Sequence, residues 1–516
     1  MQKEIEITIP PHKNDVESMK RIAASTLKIN IDRIKTVRIV KRSIDARNTK
    51  PFYRVKLMIF IDEQAPKSDF EPKFKDVTDA KQVIIVGAGP AGLFAGIRAL
   101  ELGLKPIIVD RGKDVKNRRR DLAAINKEEI VNPESNYCFG EGGAGTYSDG
   151  KLYTRSKKRG DVKNVLETLV AFGADTTILA DAHPHIGTNK LPQIIVEMRE
   201  AIVKNGGEVH FDTKMTDLLI KDGKIEGIEI NVERKIMAEN VILATGHSAR
   251  DIYYLLDRKK IALEFKPFAM GVRVEHPQTM IDSIQYNTPE RGEFLPPSSY
   301  SLVCNTKERG VFSFCMCPGG IIAPCATNQE EVVTNGWSPS KRNNPFANSG
   351  IVTEVKEQDV SDYAHAGALK GLKFQEKVER KCWEAGGKTQ HIPAQRLLDF
   401  MQDRKSVDLP ETSYIPGITS VEMKDVFPDF IVRNLRKGFI EFEKRMKGFL
   451  TNDAVIHAPE SRTSSPVRIP RNKETFEHIE IKGLYPCAEG AGYAGGIVSA
   501  AIDGQKCVEK IIENNQ

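Results

Sequence analysis

The chain opens with two kinds of periodic apolar pattern. Residues 4–9, 36–40 and 52–61 alternate between apolar and polar side chains, whereas residues 15–27 place apolar side chains three or four positions apart. Alternation is typical of half-buried strands, and the longer spacing is typical of an amphipathic helix. Residues 43–49 are predicted to form a turn, and residues 64–76, which are rich in proline, lysine and aspartate, a linker. The pattern predicts a small α/β domain over residues 1–76.

From residue 82 the pattern changes to short, uninterrupted apolar runs. An apolar strand over 83–86, a helix over 91–102 that ends at Gly103, and a second apolar strand over 106–109 follow in close succession. Two apolar strands joined by one helix within about 30 residues are typical of a parallel βαβ unit. This segment therefore predicts the start of a parallel sheet.

The turn of this unit carries Gly87, Gly89 and Gly92. In such a turn the first glycine permits the tight bend, the second lets the backbone approach a pyrophosphate, and the third lets the helix pack closely on the strand. Free N–H groups and the positive end of the helix dipole attract phosphates. Asp110, at the end of the second strand, is placed to accept hydrogen bonds from ribose hydroxyls. The unit therefore predicts a dinucleotide site.

Two further segments have the same glycine spacing without the same context. Gly140, Gly142 and Gly145 follow no apolar strand, so their loop is either structural or a second contact with a cofactor. The last of these segments contains Gly490, Gly492 and Gly495. Only 21 residues follow Gly495, which leaves room for a helix but for no further strand. The last segment is therefore predicted to complete the first sheet and not to form a second nucleotide-binding domain.

The remaining pattern divides the chain into four segments. Between 136 and 244 it predicts a glycine-rich loop (136–150), a helix (191–205) and strands at 209–212, 216–221, 224–230 and 241–244. From about 265 the chain has more proline, asparagine and cysteine, with strands at 271–275 and 310–315 and helices at 364–386 and 430–448. The strand, glycine-turn and helix pattern returns at 484–512. The predicted domains are 1–76, 77–264, 265–455 and 456–516, the second and fourth forming one discontinuous domain.

Charge and composition bear on the cellular location and the partners of the protein more than on its fold. Residues 1–75 hold 17 Lys and Arg against 10 Asp and Glu, while the rest of the chain is nearly balanced. A basic segment suits a polyanion or simple solvation, but it contains no aromatic residues interleaved with basic ones as in RNA-binding modules. The start of the chain lacks an apolar signal core, no run approaches about 20 apolar residues, and the 8 cysteines are widely spaced. We expect a cytoplasmic protein that contacts neither membrane nor nucleic acid.

Several longer motifs resemble those of a known family. The sequence is similar to FAD-dependent oxidoreductases with a glutathione-reductase-like FAD domain, and more narrowly to a bacterial group of FAD-dependent dehydrogenases sometimes described as NAD-utilising. The resemblance covers nearly the whole chain. It rests on 87–92 with Asp110 and Arg111, on 41–47, and on 139–152 (FGEGGAGTYSDGKL), 244–251 (ATGHSARD), 267–277 (PFAMGVRVEHP), 313–320 (SFCMCPGG), 462–469 (RTSSPVRI) and 484–504 (LYPCAEGAGYAGGIVSAAIDG).

The resemblance implies an α/β fold: a discontinuous Rossmann-like FAD domain with a parallel sheet, a mixed α+β second domain and the small N-terminal domain. It also implies non-covalent FAD, held by residues from several distant segments, because the cofactor is long. The implied cofactor-binding residues are Gly87, Gly89, Pro90, Ala91, Gly92, Asp110, Arg111, Gly142, Gly143, Ala144, Gly145, Thr146, Met215, Thr216, Ala244, Thr245, Gly246, Ala488, Glu489, Gly490, Gly496 and Ile497.

Candidate catalytic residues are few, since a bound flavin supplies the redox chemistry. Cys138 has no second cysteine at the spacing of a redox pair, which disfavours a disulfide reductase. Cys315 and Cys317, two apart on a predicted strand, are expected to share one face. With Cys325 nearby they are buried structural thiols, part of a substrate pocket or metal ligands, although the spacing does not fit a zinc site. No metal is predicted.

Three further side chains leave alternatives open. His247, just after the strand at 241–244, is either a proton donor near the flavin or a hydrogen-bonded structural residue. Arg250 and Arg462 either hold an anionic substrate or a phosphate, or they form ion pairs at the surface or between domains.

These features predict an oxidoreductase that transfers a hydride or electrons between NAD(P)H and a small organic substrate, where the FAD domain meets residues 265–455. Two alternatives remain: a flavoprotein that binds or modifies RNA, and a non-enzymatic flavin redox sensor.

Overall fold

The computed structural model describes residues 1–47, 50–66, 70–147, 150–153 and 160–515. Its strands are β1 (Gln2–Ile9), β2 (Ile34–Asp45), β3 (Phe52–Ile61), β4 (Gln82–Val86), β5 (Lys105–Val109), β6 (Glu208–His210), β7 (Met215–Lys221), β8 (Lys224–Ile230), β9 (Arg234–Met237), β10 (Val241–Leu243), β11 (Glu264–Phe265), β12 (Phe268–Pro277), β13 (Val303–Asn305), β14 (Gly310–Cys317), β15 (Ile321–Pro324), β16 (Thr334–Trp337), β17 (Phe346–Val355), β18 (Ile392–Arg396), β19 (Ile418–Ser420), β20 (Val455–Glu460), β21 (Val467–Arg468) and β22 (Leu484–Pro486).

The helices are α1 (Val16–Leu27), α2 (Pro90–Leu102), α3 (Val115–Lys127), α4 (Val162–Ala171), α5 (Leu191–Lys204), α6 (Arg250–Arg258), α7 (Gln278–Tyr286), α8 (Lys370–Ala385), α9 (Leu397–Met401), α10 (Met423–Val426), α11 (Asp429–Arg445) and α12 (Ile497–Asn514). Short 3-10 turns connect several of them.

The N-terminal unit is a three-stranded antiparallel sheet in the order β1-β3-β2, covered by α1. Asp15 caps α1 by accepting a hydrogen bond from the Ser18 N–H at 2.8 Å, which satisfies one of the helix's free donors. The predicted strands and helix are confirmed. The predicted turn over 43–49 is wrong at its start, because β2 continues through Asp45; residues 48 and 49 lie outside the described residues.

The second sheet is parallel, with five strands in the order β22-β10-β4-β5-β6. Alternate residues of β4 bury against opposite layers: Val83 and Ile85 pack towards α2, α5 and α12, while Ile84 and Val86 pack towards α6 and the antiparallel sheet β7-β8-β9. Strand β22 joins the edge of this sheet by pairing with β10. The final segment therefore completes the first sheet, as its length predicted, and the α/β fold class with a parallel sheet is confirmed.

The third sheet has seven strands in the order β13-β14-β17-β12-β20-β18-β19, with α8 and α11 packed against it. The predicted helix at 364–386 begins later than expected, since residues 357–369 form 3-10 turns before α8. Strand β20 pairs with β12 across the predicted domain junction at 455/456. The division into domains stays a prediction, and this pairing favours a junction after Glu460.

A buried cluster of four charges joins α6, from the parallel-sheet side, to α8, from the seven-stranded side. Arg250 lies 3.2 Å from Glu331 and 2.7 Å from Glu379, and Arg462 lies 2.6 Å and 3.0 Å from the same carboxylates. All four side chains are at most 8% exposed. Of the two roles left open for Arg250 and Arg462, the structure shows pairing between the two sides.

The cluster also fixes the charge of Glu331. Burial alone would raise the pKa of this carboxyl, but Arg462 and Arg250 lower it to about 2. Because a free glutamate has a pKa of about 4.3, the unfolded chain binds this proton more readily than the folded protein at acidic pH. The stabilisation that comes from ionised Glu331 is therefore present at neutral pH and is lost as the pH falls from about 4.3 towards 2.

We expect Glu379→Ala to lower the free energy of unfolding by about 3–5 kcal/mol, because it leaves two buried guanidinium groups with one carboxylate. Urea unfolding at neutral pH measures this loss. The matched control is Glu330→Ala, which removes an ion pair to Arg380 whose side chains are 58% and 56% exposed, and it should cost less than about 1 kcal/mol. Equal losses in the two variants would contradict a stabilising role for the buried cluster.

Candidate dinucleotide site

A cavity of about 1230 Å³ opens at the carboxyl ends of β4, β5 and β10 and continues to the seven-stranded sheet. Ligands of open parallel sheets bind at this end of the strands. Most of the residues predicted to bind a cofactor line this cavity: Gly87, Gly89, Pro90, Ala91, Asp110, Arg111, Gly143, Ala144, Gly145, Met215, Ala244, Thr245, Gly246, Ala488, Glu489, Gly496 and Ile497.

The first glycine turn is built by close backbone contacts. Gly87 has φ +108°, and a Cβ there would lie 2.7 Å from the carbonyl oxygen of Ala244 on the neighbouring strand. A Cβ on Gly92 would lie 1.8 Å from the Gly87 carbonyl oxygen, so this glycine permits the helix to pack on the turn and does not itself line the cavity. Gly89 is the N-cap of α2 and does line it.

Asp110 has a role in the turn that its position in the sequence does not reveal. One carboxylate oxygen accepts a hydrogen bond from the Ala88 N–H and the other from the Gly112 N–H, both at 2.8 Å. The carboxylate therefore holds the glycine turn, and a ribose contact would have to use its remaining lone pairs. Arg111 beside it forms an ion pair with Asp251 and stacks over Phe139 at 4.6 Å.

The second glycine segment packs directly on the first. The Gly142 N–H donates to the Ala88 carbonyl at 2.8 Å. A Cβ on Gly143 would approach the Gly89 Cα to 3.2 Å, and one on Gly145 would lie 3.2 Å from the Pro90 ring. The two glycine segments therefore form one cradle. Thr146, predicted as a cofactor contact, is fully buried and donates to the Glu141 carbonyl at 2.8 Å, away from the cavity.

Arg118 supports this cradle through hydrogen bonds, a role that was not predicted from the sequence. It is fully buried on α3 and donates to the carbonyl oxygens of Asn136, Glu141 and Gly143 at 2.7, 2.9 and 2.9 Å. Among the described residues no carboxylate forms an ion pair with it, and its Nη2 group has no hydrogen-bond partner. Arg118 thus places a buried positive charge beside the loop that packs on the first glycine turn.

A third segment, which contains Glu489 and Gly490, completes the wall of the cavity. The Gly490 N–H donates to the Thr245 carbonyl at 3.1 Å, and a Cβ on Gly490 would lie 2.3 Å from that oxygen, so this glycine joins two segments behind the cavity surface. Glu489 lines the cavity, and burial raises its pKa. Gly246, Gly495 and Gly496 also line it, and a Cβ on any of them would have no described atom within 4 Å other than those of its chain neighbours.

Some predicted residues do not reach the cavity. Gly92, Gly142, Thr146 and Gly490 hold the cradle together, and Thr216 donates its hydroxyl to Glu229 at 3.1 Å within the sheet β7-β8-β9. Met215, next to it, is buried and lines the cavity. These contacts explain why glycine or threonine occurs at positions where a ligand contact was expected.

His247 lines the cavity in the neutral form. Burial, and then the positive charges of Arg462, Arg250 and Lys266, lower the pKa of its imidazole to about 3. Its Nδ1 atom has no partner among the described residues. A neutral imidazole can orient a ligand or exchange a hydrogen bond, but it does not act as a charged acid at physiological pH. This low pKa therefore disfavours His247 as a proton donor in its imidazolium form.

The prediction that Cys315 and Cys317 share one face is wrong. The register between β14 and β17 shifts between Phe314 and Cys317, and Cys315 has φ +47°. This bulge breaks the alternation, so Cys315 lines the cavity while Cys317 is fully buried. Cys325 is also buried, and the Cys138 thiol lies 3.7 Å from its carbonyl oxygen.

A different group has ligand atoms close enough for a metal: Cys487, Asp503 and Cys507, all within 4.8 Å of one another. Asp503 there already accepts from Arg471 at 2.7 Å and from the Ala488 N–H at 2.7 Å. A guanidinium at this position opposes a cation, so the group is an ion pair with two buried thiols.

The cavity surface fits FAD. Two helices, α2 and α12, begin at glycines that line the cavity, and helix N-termini attract phosphate oxygens and a negatively charged flavin ring. The backbone is bare at Gly246, Gly495 and Gly496, so a flat or extended ligand can lie against it. Asp110, Met215 and Ile497, which come from three distant parts of the chain, all line this one cavity.

Comparisons with known proteins agree with this assignment. Residues 267–463 match the family model described as "FAD-dependent protein, C-terminal domain-like", and residues 1–60 match "Domain of unknown function (DUF8436)". The chain is 38% identical over 521 residues to an uncharacterized protein of Clostridium beijerinckii, covering 97% of this chain and 96% of that protein. The chain belongs to the family of that protein.

More distant similarities were also found. The digeranylgeranylglycerophospholipid reductase of Methanosarcina acetivorans is 26% identical over 182 residues, 33% of this chain and 38% of the reductase. Among solved structures, CtdE in complex with FAD has a TM-score of 0.33 at 11% identity, over 84% of each chain. A geranylgeranyl bacteriochlorophyll reductase-like protein of Thermoplasma acidophilum has a TM-score of 0.33 at 12% identity, over 84% of this chain and 80% of that one. At these scores the structural likeness carries no further conclusion.

None of the described helices combines the length and the apolar character needed to cross a membrane.

We expect Gly246→Val to fold normally but to bind FAD at least about tenfold more weakly, a loss of about 1.4 kcal/mol. A Cβ at this position would lie more than 4 Å from every described atom outside the neighbouring residues, so the new side chain would occupy cavity space that a bound ligand needs. Fluorescence titration of FAD-depleted protein with FAD measures the affinity, and thermal unfolding of the same samples measures stability.

Gly310→Ala is the matched control, because its Cβ would make ordinary contacts at 3.6 Å with Glu354, away from the cavity. It should leave FAD affinity unchanged. Unaltered FAD binding by Gly246→Val would contradict the assignment of this surface to the cofactor.

Proposed function

We propose that this protein is an FAD-dependent oxidoreductase that transfers a hydride or electrons between NAD(P)H and a small organic substrate. The observation that carries the proposal is one continuous cavity that begins at the glycine cradle of the parallel sheet and ends on the seven-stranded sheet. Such a cavity has room for a dinucleotide and for a second molecule beside it. The match of residues 267–463 to an FAD-dependent family supports the FAD-dependent part of this proposal.

The proposed cofactor contacts follow from the cradle. Gly87, Gly89 and Pro90, with Gly143–Gly145, would hold the pyrophosphate at the start of α2. Asp110, Arg111 and Met215 would face the adenosine end. Thr245, Gly246 and Glu489 would follow the ribityl chain, and Gly496 with Ile497 would place the start of α12 against the flavin ring.

Bound FAD supplies the hydride and electron chemistry, and the chain supplies position and electrostatics. The N-terminus of α12 stabilises negative charge on a ligand that lies against Gly496. Glu489, whose pKa is raised by burial, can carry a proton beside that ligand. Neutral His247 offers a hydrogen bond without adding a positive charge.

NAD(P)H would bind transiently in the same cavity. Among the described residues one parallel sheet is present, and its glycine cradle is assigned to FAD. The third glycine segment belongs to that sheet through β22, so it offers no separate nucleotide site. The nicotinamide would therefore have to approach the flavin from the side of the seven-stranded sheet.

We expect the flavin absorbance of the purified FAD-loaded protein to bleach when NADH or NADPH is added without oxygen, because hydride transfer reduces the ring. A stopped-flow spectrum with each nucleotide measures the rate and shows which one is the donor. Photoreduced protein is the control for the fully bleached spectrum. Full retention of the flavin band with both nucleotides would contradict NAD(P)H as donor and would favour the alternative of a flavin redox sensor.

A further inference from the structure

The N-terminal unit reaches the cavity through one edge strand. In the sheet β1-β3-β2, β2 pairs with β3 on one side, which leaves its other edge available for further backbone pairing. Arg42 on β2 uses this edge: its N–H donates to the Ala180 carbonyl at 2.9 Å, and its carbonyl accepts from the Ala182 N–H at 3.0 Å. Arg42 and Asp181 thereby form a parallel bridge, which attaches residues 180–182 to the N-terminal sheet.

The side chain of Arg42 adds an ion pair to these backbone bonds. Its guanidinium donates to both carboxylate oxygens of Asp181, at 2.8 and 3.1 Å. The two side chains are 21% and 32% exposed. Burial alone would lower the pKa of Arg42, but the hydrogen bonds and the charge of Asp181 raise it, so the pair stays ionised. A two-point contact of this kind fixes orientation as well as distance.

Asp181 is followed almost directly by residues at the mouth of the cavity. His183 and Tyr153 line the cavity, and both residues are also exposed to solvent. Their ring centroids lie 5.0 Å apart. A residue that lines a cavity and also faces solvent lies at its opening, so we call Tyr153 and His183 the mouth pair.

The two chain segments that carry the mouth pair are bonded to each other. The Leu152 N–H donates to the Pro184 carbonyl at 2.9 Å, and the Ile186 N–H donates to the Gly150 carbonyl at 3.2 Å. These bonds make the two segments one antiparallel ribbon. A contact that fixes the chain just before His183 therefore also fixes Tyr153.

The ribbon is held at its far end by the other side of the molecule. The Ser340 N–H donates to the side-chain oxygen of Asn189 at 3.0 Å. A Cβ on Gly187 would lie 2.5 Å from the Ser340 Cα, so the two backbones are in direct contact. Ser340 lies on the loop that leads into β17 of the seven-stranded sheet. The mouth pair is thus carried between two anchors, Arg42 before it and Ser340 after it.

The N-terminal unit also touches a second segment that leads to the cavity. The side chain of Asn287, at the end of α7, donates to the Ala46 carbonyl at 3.4 Å. The His12 ring lies 6.3 Å from the Phe294 ring, centroid to centroid. Gln285, two residues before Asn287, lines the cavity. The small unit therefore contacts the chain beside two parts of the cavity wall.

We propose that the N-terminal unit sets the rate at which ligands enter and leave the cavity, with Arg42 as the positioning residue that holds the mouth pair in place. The ion pair with Asp181 keeps the ribbon against the N-terminal sheet and so limits the width of the opening. This role concerns access and not the redox step. The use of FAD as one probe of it rests on the proposed function.

Cysteine labelling measures access without a cavity ligand. Cys138 and Cys315 line the cavity, whereas Cys382 and Cys507 are fully buried and do not. Arg42→Asp places two carboxylates opposite each other. We expect N-ethylmaleimide to modify the two cavity cysteines at least about threefold faster in this variant, the size expected for the loss of a partly exposed ion pair. The rates at Cys382 and Cys507 should not change. Mass spectrometry of the digested protein measures each rate.

A charge swap and a matched control separate positioning from a general effect. Arg42→Asp combined with Asp181→Arg restores an ion pair and should return the labelling rates of the cavity cysteines towards those of the unaltered protein. Arg33→Asp is the control, because it breaks an ion pair of 2.7 Å with Asp62 in the same unit, and neither residue lines the cavity. It should leave the labelling rates unchanged.

Three results would overturn the proposal: unchanged labelling of the cavity cysteines in Arg42→Asp, equal acceleration in Arg33→Asp, or equal acceleration at all four cysteines, which would show that the whole fold is loosened. If Arg42→Asp does not fold, as judged by circular dichroism, Asp181→Asn takes its place with the same expected direction.

The release of FAD is the second readout. In the FAD-loaded protein, the dissociation rate, followed by flavin fluorescence after dilution, should rise at least about threefold in Arg42→Asp. Unchanged release from a variant whose cavity cysteines are labelled faster would place the mouth pair off the path of the ligand and overturn the proposal. A chain that retains no FAD would defeat the proposed function, and the labelling rates would still decide the role of Arg42.

Discussion

The structure around the cavity depends on backbones that approach each other where no side chain intervenes. Gly87 lies against the Ala244 carbonyl, Gly92 lies against the Gly87 carbonyl, and Gly490 lies against the Thr245 carbonyl. Each contact is shorter than a Cβ permits. Together they bring three segments that are about 150 residues or more apart in the chain to the end of one parallel sheet. The cavity is therefore a consequence of how the sheet closes, and the same contacts leave the bare backbone that a long cofactor needs.

Buried charges then fix the cradle and join it to the rest of the molecule. Arg118 donates hydrogen bonds to three carbonyl groups of the second glycine loop. Asp110 accepts hydrogen bonds from two N–H groups of the first turn. Arg250 and Arg462 share two carboxylates across the junction between α6 and α8. A buried charge is costly unless it is fully hydrogen-bonded, so these contacts specify one arrangement of the segments around the cavity.

Much of this fold is visible in the sequence because local pattern determines it. Residues 82–110 combine apolar runs, glycine spacing and a terminal aspartate, and the structure forms the predicted βαβ unit there. Strand β17 was not predicted, because Asn348, Ser349 and Gly350 interrupt its apolar pattern; Asn348 is instead buried and accepts a hydrogen bond from Arg273 at 2.8 Å. The strand bulge at Cys315 likewise has no signal in an alternating sequence.

The sequence predicted where the candidate site lies but not which way each of its residues faces, because local pattern determines the first and contacts between distant segments determine the second. The glycine motif locates the cradle, but a motif does not show which of its residues face the ligand and which face another backbone, as Gly92 and Gly490 do. Arg118 belongs to a run of three arginines that suggests a solvated surface. Its position three residues after Val115 and four before Leu122, both buried, was the available signal that it lies on the buried face of α3.

Whether the glycine cradle holds FAD can be measured by identifying what the purified protein binds. The protein is denatured after incubation with excess FAD and removal of free nucleotide, and the released compound is identified and quantified by chromatography with mass spectrometry. We expect FAD at one molecule per chain. A chain that releases no flavin, or that retains a different nucleotide in its place, would contradict it.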